Sequence, residues 1–270
     1  MNFTLTTLGT ASAVPVLGRN QSAQVLQVRG RLFLIDCGEG TQKRIREARL
    51  SFVRIEAIFI SHIHGDHVLG LFGLLSTIGM YGRTSPLKVY GPQALGGFLR
   101  FFESYYGSEL PYELQFCEVK CQGLSQIYLD KYLKVSAFPL QHKIETYGYR
   151  FDAVPGPKTP EGAHLSSYAY ASDTRPFEEL ASYVSGVDVL YHESTYTADL
   201  ADKAKTRFHS TAADAAACAL KAGAKTLILG HYSSRIRDIG LFLEESRAIF
   251  ENSFAANDGD VFDIPYIAKK

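Results

Sequence analysis

The chain has few cysteines, and they form no recognisable metal or disulfide pattern. Cys37, Cys117, Cys121 and Cys218 are the only four among 270 residues, and none of them belongs to a CxxC pair. Cys117 and Cys121 offer at most a weak metal pair, because no second pair lies near them. Such spacing favours free thiols in a reducing compartment over the disulfide framework of a secreted domain.

Targeting and membrane signals are also missing. The N-terminus begins with a strand pattern and lacks the basic stretch and apolar core of a signal peptide. An uncharged run, Val68 to Gly82, is too short to span a bilayer and contains four glycines. We therefore predict a cytoplasmic protein that does not enter a membrane.

Neither sign of charge is in excess. Lys and Arg total 28, Asp and Glu total 28, and the formal net charge is zero. Proteins that bind nucleic acid usually carry a basic surplus, which this composition does not show. A local basic patch, or a cleft in which metal ions supply the positive charge, is compatible with the composition.

Apolar residues make up 46% of the chain, which is ample for a large core. Strand and helix patterns alternate along the sequence, with helices predicted over Val68–Met80 and from Pro176 to Gly186. No low-complexity linker or short repeat divides the chain. The sequence therefore predicts one α/β domain over residues 1–270.

The most informative stretch is SHIHGDH at residues 61–67, directly after an apolar strand pattern. Side-chain direction repeats every second residue in an extended chain, so His62 and His64 point to the same side and can bind one cation together. Asp66 and His67 would face a second cation nearby. A polar turn with solvated histidines is the plainer alternative, but this spacing of imidazole and carboxylate is typical of zinc, manganese or iron sites.

Other polar residues stand where predicted strands end. His142, Asp173 and His231 each occupy such a position, and each taken alone is more readily explained as a capping or surface residue. Asp36 also sits at a strand end. It is equally suited to orienting a ligand histidine and to capping the following turn.

Residues 61–67 match the HxHxDH signature of the metallo-β-lactamase superfamily in residue type, spacing and preceding strand. Further motifs resemble ribonuclease Z, the endonuclease that trims transfer-RNA 3′ ends, and they extend over nearly the whole chain. They are Leu8-Gly9-Thr10, Pro15, Arg19-Asn20, the run Asp36 to Gln42, Gly70-Leu71, Tyr90-Gly91-Pro92, the run Ser172 to Pro176, His192-Glu193, His209-Ser210-Thr211 and the run Gly230 to Arg235. The last two motifs are much more particular than HxHxDH.

The resemblance implies a four-layered α/β/β/α metallo-β-lactamase sandwich, with the metal site at the edge where its two sheets meet. It also implies two pseudo-symmetric halves, for which we predict a boundary near residue 140. Typical ribonuclease Z chains carry a long exosite arm, rich in Gly and Pro, that grips the transfer-RNA elbow. Here about thirty residues separate His142 from Asp173, and a loop insertion at 152–167 stands where the arm is missing or truncated.

A ligand set for two divalent metal ions follows from the same resemblance, with zinc expected and manganese or iron also suited to it. One ion is assigned to His62, His64 and His142, the other to Asp66, His67 and His231, and Asp173 bridges the two. Ions about 3.5–4 Å apart can share a hydroxide and stabilise both attacking and leaving oxygens in a displacement at phosphorus. Asp66, beside the shared water, is both a ligand and a candidate general base.

Three more residues receive roles from the resemblance. His209 matches the histidine that approaches the scissile phosphate as proton donor or charge stabiliser, and Glu193 matches the acid beside it. Arg235 is suited to holding a substrate phosphate with its planar guanidinium group. The plainer alternatives are a helix N-cap for His209 and a surface salt bridge for Arg235.

The sequence therefore predicts a two-metal endonuclease, expected as a homodimer, that cleaves precursor transfer RNA and leaves a 3′-hydroxyl on it. The missing arm and the zero net charge weaken the case for transfer RNA, but they leave phosphodiester hydrolysis unaffected. The alternative enzyme is a hydrolase of another small phosphodiester or of a thioester. The alternative outside the enzymes is an RNA-binding or scaffolding module with a structural metal site, which the intact ligand series argues against.

Overall fold

A computed structural model describes residues 3–264 of the chain, and they form two seven-stranded sheets. The strands of the first sheet are β1 Phe3–Gly9, β2 Ala23–Val28, β3 Arg31–Ile35, β4 Ile55–Phe59, β5 Leu87–Gly91, β6 Leu114–Glu118 and β14 Val261–Ile264. Those of the second are β7 Ser125–Leu129, β8 Leu133–Pro139, β9 Tyr147–Ala153, β10 Ser167–Ala171, β11 Val189–Glu193, β12 Thr226–Gly230 and β13 Ser253–Ala255. Their orders are β14-β1-β2-β3-β4-β5-β6 and β13-β12-β11-β10-β9-β8-β7.

Helices cover the outer face of each sheet. They are α1 Thr41–Glu47, α2 Gly65–Val68, α3 Leu71–Met80, α4 Gln93–Tyr106, α5 Leu180–Tyr183, α6 Ala201–Arg207, α7 Ala212–Ala222 and α8 Gly240–Arg247. None of the helices within 3–264 is long and apolar enough to cross a bilayer.

Three hydrophobic clusters separate four layers, which confirms the predicted α/β/β/α sandwich. The central cluster lies between the sheets and contains aromatic contacts such as Phe59 with Tyr149 and with Phe151, at 5.4 Å between ring centroids in both pairs. One outer cluster packs helix α3 on the first sheet, and the other packs α7 and α8 on the second. Burial of each large apolar side chain contributes about 1.5–3 kcal/mol.

Strand β4 shows why residues 57–60, shortly before the histidines, are all apolar, whereas Glu56 near the start of the strand is exposed. Ala57 and Phe59 point into the central cluster, whereas Ile58 and Ile60 face the helices. A strand buried on both faces needs apolar residues at every position, and its neighbours β3 and β5 run parallel to it. The residues that follow are therefore held at a fixed place on the sheet edge.

The two sheets repeat one arrangement. The strands β1, β2 and β3 are antiparallel and β3 to β6 are parallel, while β7 to β10 are antiparallel and β10 to β13 are parallel. The chain crosses between the sheets between Glu118 and Ser125, upstream of the predicted boundary near residue 140. That boundary was misplaced because β6 and β7 are half-buried edge strands, whose sequences alternate weakly.

The insertion predicted at 152–167 is a short irregular connection. Strand β9 continues to Ala153 and β10 begins at Ser167, so the part of the predicted insertion without helix or strand is residues 154–166. The connection is fastened at its end, where His164 Nε2 lies 2.6 Å from the buried Asp188 carboxylate. No arm projects from this part of the described chain.

Two predicted helices are shorter in the structure. The helix expected over Val68–Met80 is divided into α2 and α3 at Gly70, whose N–H donates to the Cys37 carbonyl. The helix expected from Pro176 consists of α5 alone. Residues 174–177 before it are irregular and 178–179 form a turn, and the Arg175 N–H donates to the Gln141 carbonyl.

Candidate metal centre

The predicted ligands converge from four places in the sequence at one edge of the sandwich. His62 and His64 follow β4, and His142 follows β8. Asp173 follows β10 and His231 follows β12. The carboxyl ends of strands in both sheets therefore meet here, and the structure brings together all seven residues that the sequence nominated.

The first group contains three histidines and one carboxylate. The Nδ1 atom of His64 lies 3.0 Å from Nε2 of His62 and 3.2 Å from Nε2 of His142. Oδ2 of Asp173 lies 3.6 and 3.7 Å from those two Nε2 atoms. All four atoms are within 4.8 Å of one another.

The second group lies on the other side of Asp173. The Nε2 atoms of His67 and His231 are 3.3 Å apart, and each is 3.4 Å from Oδ2 of Asp66. Oδ1 of Asp173 lies 3.1 Å from Nε2 of His67 and 3.0 Å from Nε2 of His231. Asp173 thus presents one oxygen to each group, which is the arrangement expected of a bridging ligand.

The ligand spacing fits metal ions. A tetrahedral zinc ion with bonds of 2.0–2.1 Å separates its ligand atoms by roughly 3.4 Å, close to the distances within both groups. Outer hydrogen bonds fix the tautomers, because Nδ1 of His142 donates to the Phe208 carbonyl and Nδ1 of His231 donates to Thr195 Oγ1. Their Nε2 atoms therefore face other ligand nitrogens, His142 facing Nδ1 of His64 and His231 facing Nε2 of His67. Such close nitrogen atoms are unfavourable unless a cation lies between them.

The electrostatics of the two groups differ. Burial lowers the pKa values of His62, His64 and His142, so these imidazoles are neutral at pH 7, as metal ligands must be. Burial also opposes the charged form of His67, but nearby carboxylates outweigh it and raise the pKa of His67 well above its usual value. The second group thus attracts a positive charge strongly.

Left-handed backbone places three residues of this edge. The φ angles are 56° at Asp36 and 61° at both Asp173 and His231. Each residue ends a strand by reversing the chain direction, so that its side chain turns into the site. Positive φ is uncommon outside glycine, although Asp and His adopt it more readily than most residues, and such conformations cluster at functional sites.

Asp36 orients a predicted ligand and does not cap a turn. Its Oδ2 accepts hydrogen bonds from Nδ1 of His67 at 2.7 Å and from the Tyr170 hydroxyl at 2.6 Å. Its Oδ1 accepts the Ser61 N–H at 2.7 Å. The strand-end position of Asp36 was visible in the sequence, but the contribution of Tyr170, from the opposite sheet, was not.

Glu193 and His209 form a pair beside the metal groups. Nδ1 of His209 lies 2.9 Å from Oε1 of Glu193, which is completely buried. Burial disfavours the imidazolium, but the Glu193 carboxylate outweighs it and raises the pKa of His209 to about 9. His209 is not a helix cap, because Thr211 caps α7 in a capping box with Asp214.

Thr195 is a site residue that the sequence analysis missed. Its hydroxyl donates to Glu193 Oε2 at 2.5 Å and accepts from Nδ1 of His231 at 2.9 Å, so it joins the Glu193–His209 pair to the second group. Its only signal in the sequence is a hydroxyl residue just after the strand that ends at Glu193.

The groups lie at the base of a cleft of about 500 Å³, which Arg235 also lines. The guanidinium group of Arg235 makes no salt bridge within residues 3–264, so the surface ion pair considered for it is not present there. Residues that line the cleft around the groups are Ser12, Lys143, Tyr196, Lys203, Arg207 and Arg235.

Comparison with known sequences places the chain among proteins with this fold. Residues 31–232 match the beta-lactamase superfamily domain. The ribonuclease Z proteins of Porphyromonas gingivalis and Bacteroides fragilis are each 36% identical over 295 aligned residues, which cover 95% of this chain and 97% of each relative. Those alignments are longer than this chain of 270 residues, so the relatives contain residues without a counterpart here.

Solved structures agree with the sequence relatives. The short form of human tRNase Z has a TM-score of 0.81 at 31% identity and covers 97% of this chain and 99% of that chain. The metallo-beta-lactamase fold protein YhfI from Bacillus subtilis has a TM-score of 0.77 at 20% identity, covers 97% of this chain and 100% of that chain, and bears on the fold alone. Together with the His/Asp groups, the fold indicates a site for divalent metal ions. The chain belongs to the ribonuclease Z family of the beta-lactamase superfamily.

Proposed function

We propose that this chain is a metal-dependent endoribonuclease that removes the 3′ extension of precursor transfer RNA and leaves a 3′-hydroxyl on the transfer RNA. One observation carries the proposal: two groups of imidazole nitrogens and carboxylate oxygens share Asp173 beside the Glu193–His209 pair, in a chain of the ribonuclease Z family. This set serves hydrolysis of a phosphodiester, in which water attacks phosphorus and the bond to the 3′-oxygen breaks.

The residues assigned to the metal ions follow from the two groups. One ion is proposed to bind His62, His64 and His142, the other Asp66, His67 and His231, with Asp173 between them. Two bound ions activate water and neutralise charge that develops on the phosphate oxygens. We propose zinc as the native metal, because histidine-rich nitrogen and oxygen sets suit it, and metal analysis of the purified protein tests this against manganese and iron.

Asp66 is proposed to accept the proton of the attacking water. Its Oδ2 faces His67 and His231, whereas Oδ1 has no hydrogen-bond partner within residues 3–264, and the residue lines the cleft. Burial opposes ionisation, but the adjacent histidines outweigh it and lower the pKa of Asp66. The carboxylate is therefore ionised at neutral pH, as a proton acceptor must be.

His209 is proposed to donate a proton to the departing 3′-oxygen. With its pKa raised to about 9, its imidazole is protonated at neutral pH. Nδ1 is held by Glu193, and Nε2 makes no hydrogen bond within the described chain. This leaves Nε2 to face substrate, while Glu193 keeps the ring in place and stabilises its charge.

The substrate is tested with a precursor transfer-RNA transcript beside bis(p-nitrophenyl) phosphate, and the ends of the RNA products are mapped. The proposal predicts one cut that leaves a 3′-hydroxyl on the transfer RNA and a 5′-phosphate on the released fragment. Turnover of the small diester alone would favour the alternative hydrolase of a different small phosphodiester. Turnover of neither, at two metals per chain, would favour a non-catalytic RNA-binding or scaffolding role.

Two further expectations accompany the proposed activity. A homodimer is expected from the family resemblance, and light scattering coupled to size-exclusion chromatography measures it. A cytoplasmic location is expected because all four cysteines are free thiols.

A further inference from the structure

The cleft carries a concentration of positive charge that the neutral composition conceals. Four cations line it: Lys143, Lys203, Arg207 and Arg235. Among residues 3–264, the acids that line it are Asp66 and Asp173, and both already belong to the proposed metal site. None of the four cations forms an ion pair or a side-chain hydrogen bond within residues 3–264.

Two of the four belong to one helix face. Lys203 and Arg207 are four residues apart on α6, so their side chains lie on the same side of the helix. Like charges at this spacing destabilise a helix, and neither Lys203 nor Arg207 forms an ion pair with an acid in the described part of the chain. Lys203 is half-buried, which makes an unpaired ammonium group costlier still. A pair with these costs is best explained by an anionic ligand in the cleft.

Tyr196 extends this face toward the metal groups. Its ring packs against the ring of His209, with centroids 6.2 Å apart, and its hydroxyl makes no hydrogen bond within the described part of the chain. Burial raises the pKa of Tyr196, and the charges of Arg207 and Arg235 oppose the rise, so both guanidinium groups lie near the phenol. A hydroxyl that lines the same cleft as two guanidinium groups is a suitable donor for a phosphate oxygen.

Helix α6 is fixed rigidly to the proposed catalytic residues. The N–H of His209 donates to the Ala204 carbonyl at 2.9 Å, and Phe208, in the left-handed conformation that ends the helix, accepts from His142 through its own carbonyl at 3.0 Å. The Arg175 guanidinium group lies 4.9 Å from the centre of the Phe208 ring. The cations of α6 therefore keep a constant position relative to His142 and His209.

We propose that Lys203, Arg207 and the hydroxyl of Tyr196 form a phosphate-binding subsite that holds a backbone phosphate of the RNA next to the scissile one. The subsite rests on the proposed function and specifies how an RNA chain, in contrast to a small diester, is held over the metal centre. The subsite gives the protein a local positive charge that attracts the RNA backbone, although the chain has no net basic charge. A contact of this kind positions the backbone without reading sequence.

The test compares two double variants of the metal-loaded protein. Lys203→Met/Arg207→Met removes the charges of the subsite, and Arg100→Met/Lys221→Met removes two charges from helices α4 and α7, outside the cleft. Steady-state kinetics are measured for a precursor transfer-RNA transcript at several salt concentrations and for bis(p-nitrophenyl) phosphate. Melting temperatures are recorded for all three proteins.

The subsite predicts a KM for the transcript at least tenfold higher in the Lys203/Arg207 variant, with kcat changed less than threefold. Each lost phosphate contact should reduce the slope of log(kcat/KM) against log salt by about 0.7. The activity ratio of transcript to small diester should fall in this variant and stay unchanged in the control. The melting temperature should not fall, since a repulsive pair has been removed from α6.

A transcript KM and salt slope equal to those of the unmodified protein would overturn the subsite and leave the nuclease proposal standing. Equal losses on both substrates would also overturn it, because the residues would then act on the metal centre. If the unmodified protein cleaves neither substrate, the nuclease proposal falls and the subsite falls with it. A methylphosphonate at the phosphate next to the scissile bond should slow the unmodified protein but not the Lys203/Arg207 variant.

Discussion

Oδ2 of Asp36 accepts a hydrogen bond of 2.7 Å from Nδ1 of His67, and both side chains are completely buried. This contact holds a proton on Nδ1, so Nε2 faces Asp66 and Asp173 and is the ring atom placed to bind a metal ion. The Tyr170 hydroxyl and the Ser61 N–H also donate hydrogen bonds to the Asp36 carboxylate. These hydrogen bonds offset the cost of burying its charge. A residue that touches no substrate therefore sets the orientation of a proposed metal ligand.

The first prediction concerns this contact. Asp36→Asn should weaken zinc binding by about 10–100-fold, because loss of a carboxylate behind a ligand histidine lowers its basicity and frees its orientation. Asparagine tolerates the left-handed backbone at this position, so the fold should be retained. Competition titration with a chromophoric chelator measures the affinity.

Asp188→Asn is the matched control for Asp36→Asn. Asp188 is also a buried carboxylate that pairs with a histidine, His164, but it lies at the opposite end of the second sheet, before β11. Its replacement should lower the melting temperature and leave zinc affinity unchanged. Equal zinc affinity in the Asp36 and Asp188 variants would show that Asp36 acts only on stability.

A second prediction tests Asp66 as the proton acceptor. Asp66→Ala should reduce cleavage of a precursor transfer-RNA transcript at least 100-fold, since both a proposed metal ligand and a proposed base are lost. The circular dichroism spectrum should be preserved, because the carboxylate lies at the cleft and outside the three hydrophobic clusters. A rate near that of the unmodified protein would remove Asp66 from the mechanism.

The third prediction separates His209 from the metal ligands. His209→Ala should lower kcat on RNA by about 10²–10⁴-fold, the usual contribution of a general acid, while metal content stays the same. On bis(p-nitrophenyl) phosphate the loss should be much smaller, because p-nitrophenolate leaves without needing a proton. The kcat of Glu193→Gln on RNA should lie between that of His209→Ala and that of the unmodified protein. Equal losses on both substrates would assign His209 to stabilising charge in place of donating a proton.

The sequence predicted best the parts of the molecule that local patterns determine. Strand β4 and the histidines after it were predictable because burial on both faces demands an apolar run and because the spacing of the imidazoles lies within one short stretch. His142, Asp173 and His231 gained meaning only from a family resemblance. Their convergence depends on contacts between distant strands, which periodicity does not encode.

What the sequence did not reveal has physical reasons. The hydroxyls of Thr195 and Tyr170 contact His231 and Asp36, residues far along the chain, and these contacts leave no local pattern in the sequence. Pro176 is typical of a helix start, but the tertiary hydrogen bond from the Arg175 N–H to Gln141 holds the preceding loop, and the helix begins only at Leu180. Edge strands β6 and β7 are half-buried, so apolar and polar residues alternate only weakly in their sequences. The predicted boundary between the halves was therefore misplaced.

The fourth prediction concerns the division between α2 and α3. A Cβ on Gly70 would lie 2.1 Å from the Gly38 carbonyl oxygen, so the loop after β3 and the start of α3 can touch only without a side chain there. Gly70→Ala should lower the melting temperature by several degrees and weaken zinc binding, because α2, with Asp66 and His67, has to shift. Gly123→Ala, with no atom near its Cβ, should change neither quantity. Melting temperature and zinc binding of both variants are measured by thermal denaturation with and without added zinc. A Gly70→Ala protein with the melting temperature and zinc binding of the unmodified protein would contradict the packing argument.

The last prediction uses acid to test a contact that joins the two sheets. Asp130 lies in the turn between β7 and β8, accepts the N–H groups of Tyr132 and Leu133, and pairs with Arg31 of the first sheet. Burial opposes its charge, but the hydrogen bond from Arg31 and those from Tyr128 and the turn lower the pKa of Asp130 to about 2. Because the folded pKa lies below the unfolded value of about 3.9, the stabilisation is complete above about pH 5 and is lost as the pH falls through 2.

Asp130→Asn should therefore lower the free energy of unfolding by about 1–3 kcal/mol at pH 6, where charge-assisted hydrogen bonds are lost. The difference from the unmodified protein should shrink steadily between pH 4 and pH 2, since the native aspartate then becomes neutral as well. Arg31→Met should show the same convergence, because it removes the partner of the charge. Urea denaturation at a series of pH values measures both variants. If the difference in free energy of unfolding between Asp130→Asn and the unmodified protein stays constant down to pH 2, Asp130 acts through the shape of the turn. Its charge then contributes nothing to the contact between the sheets.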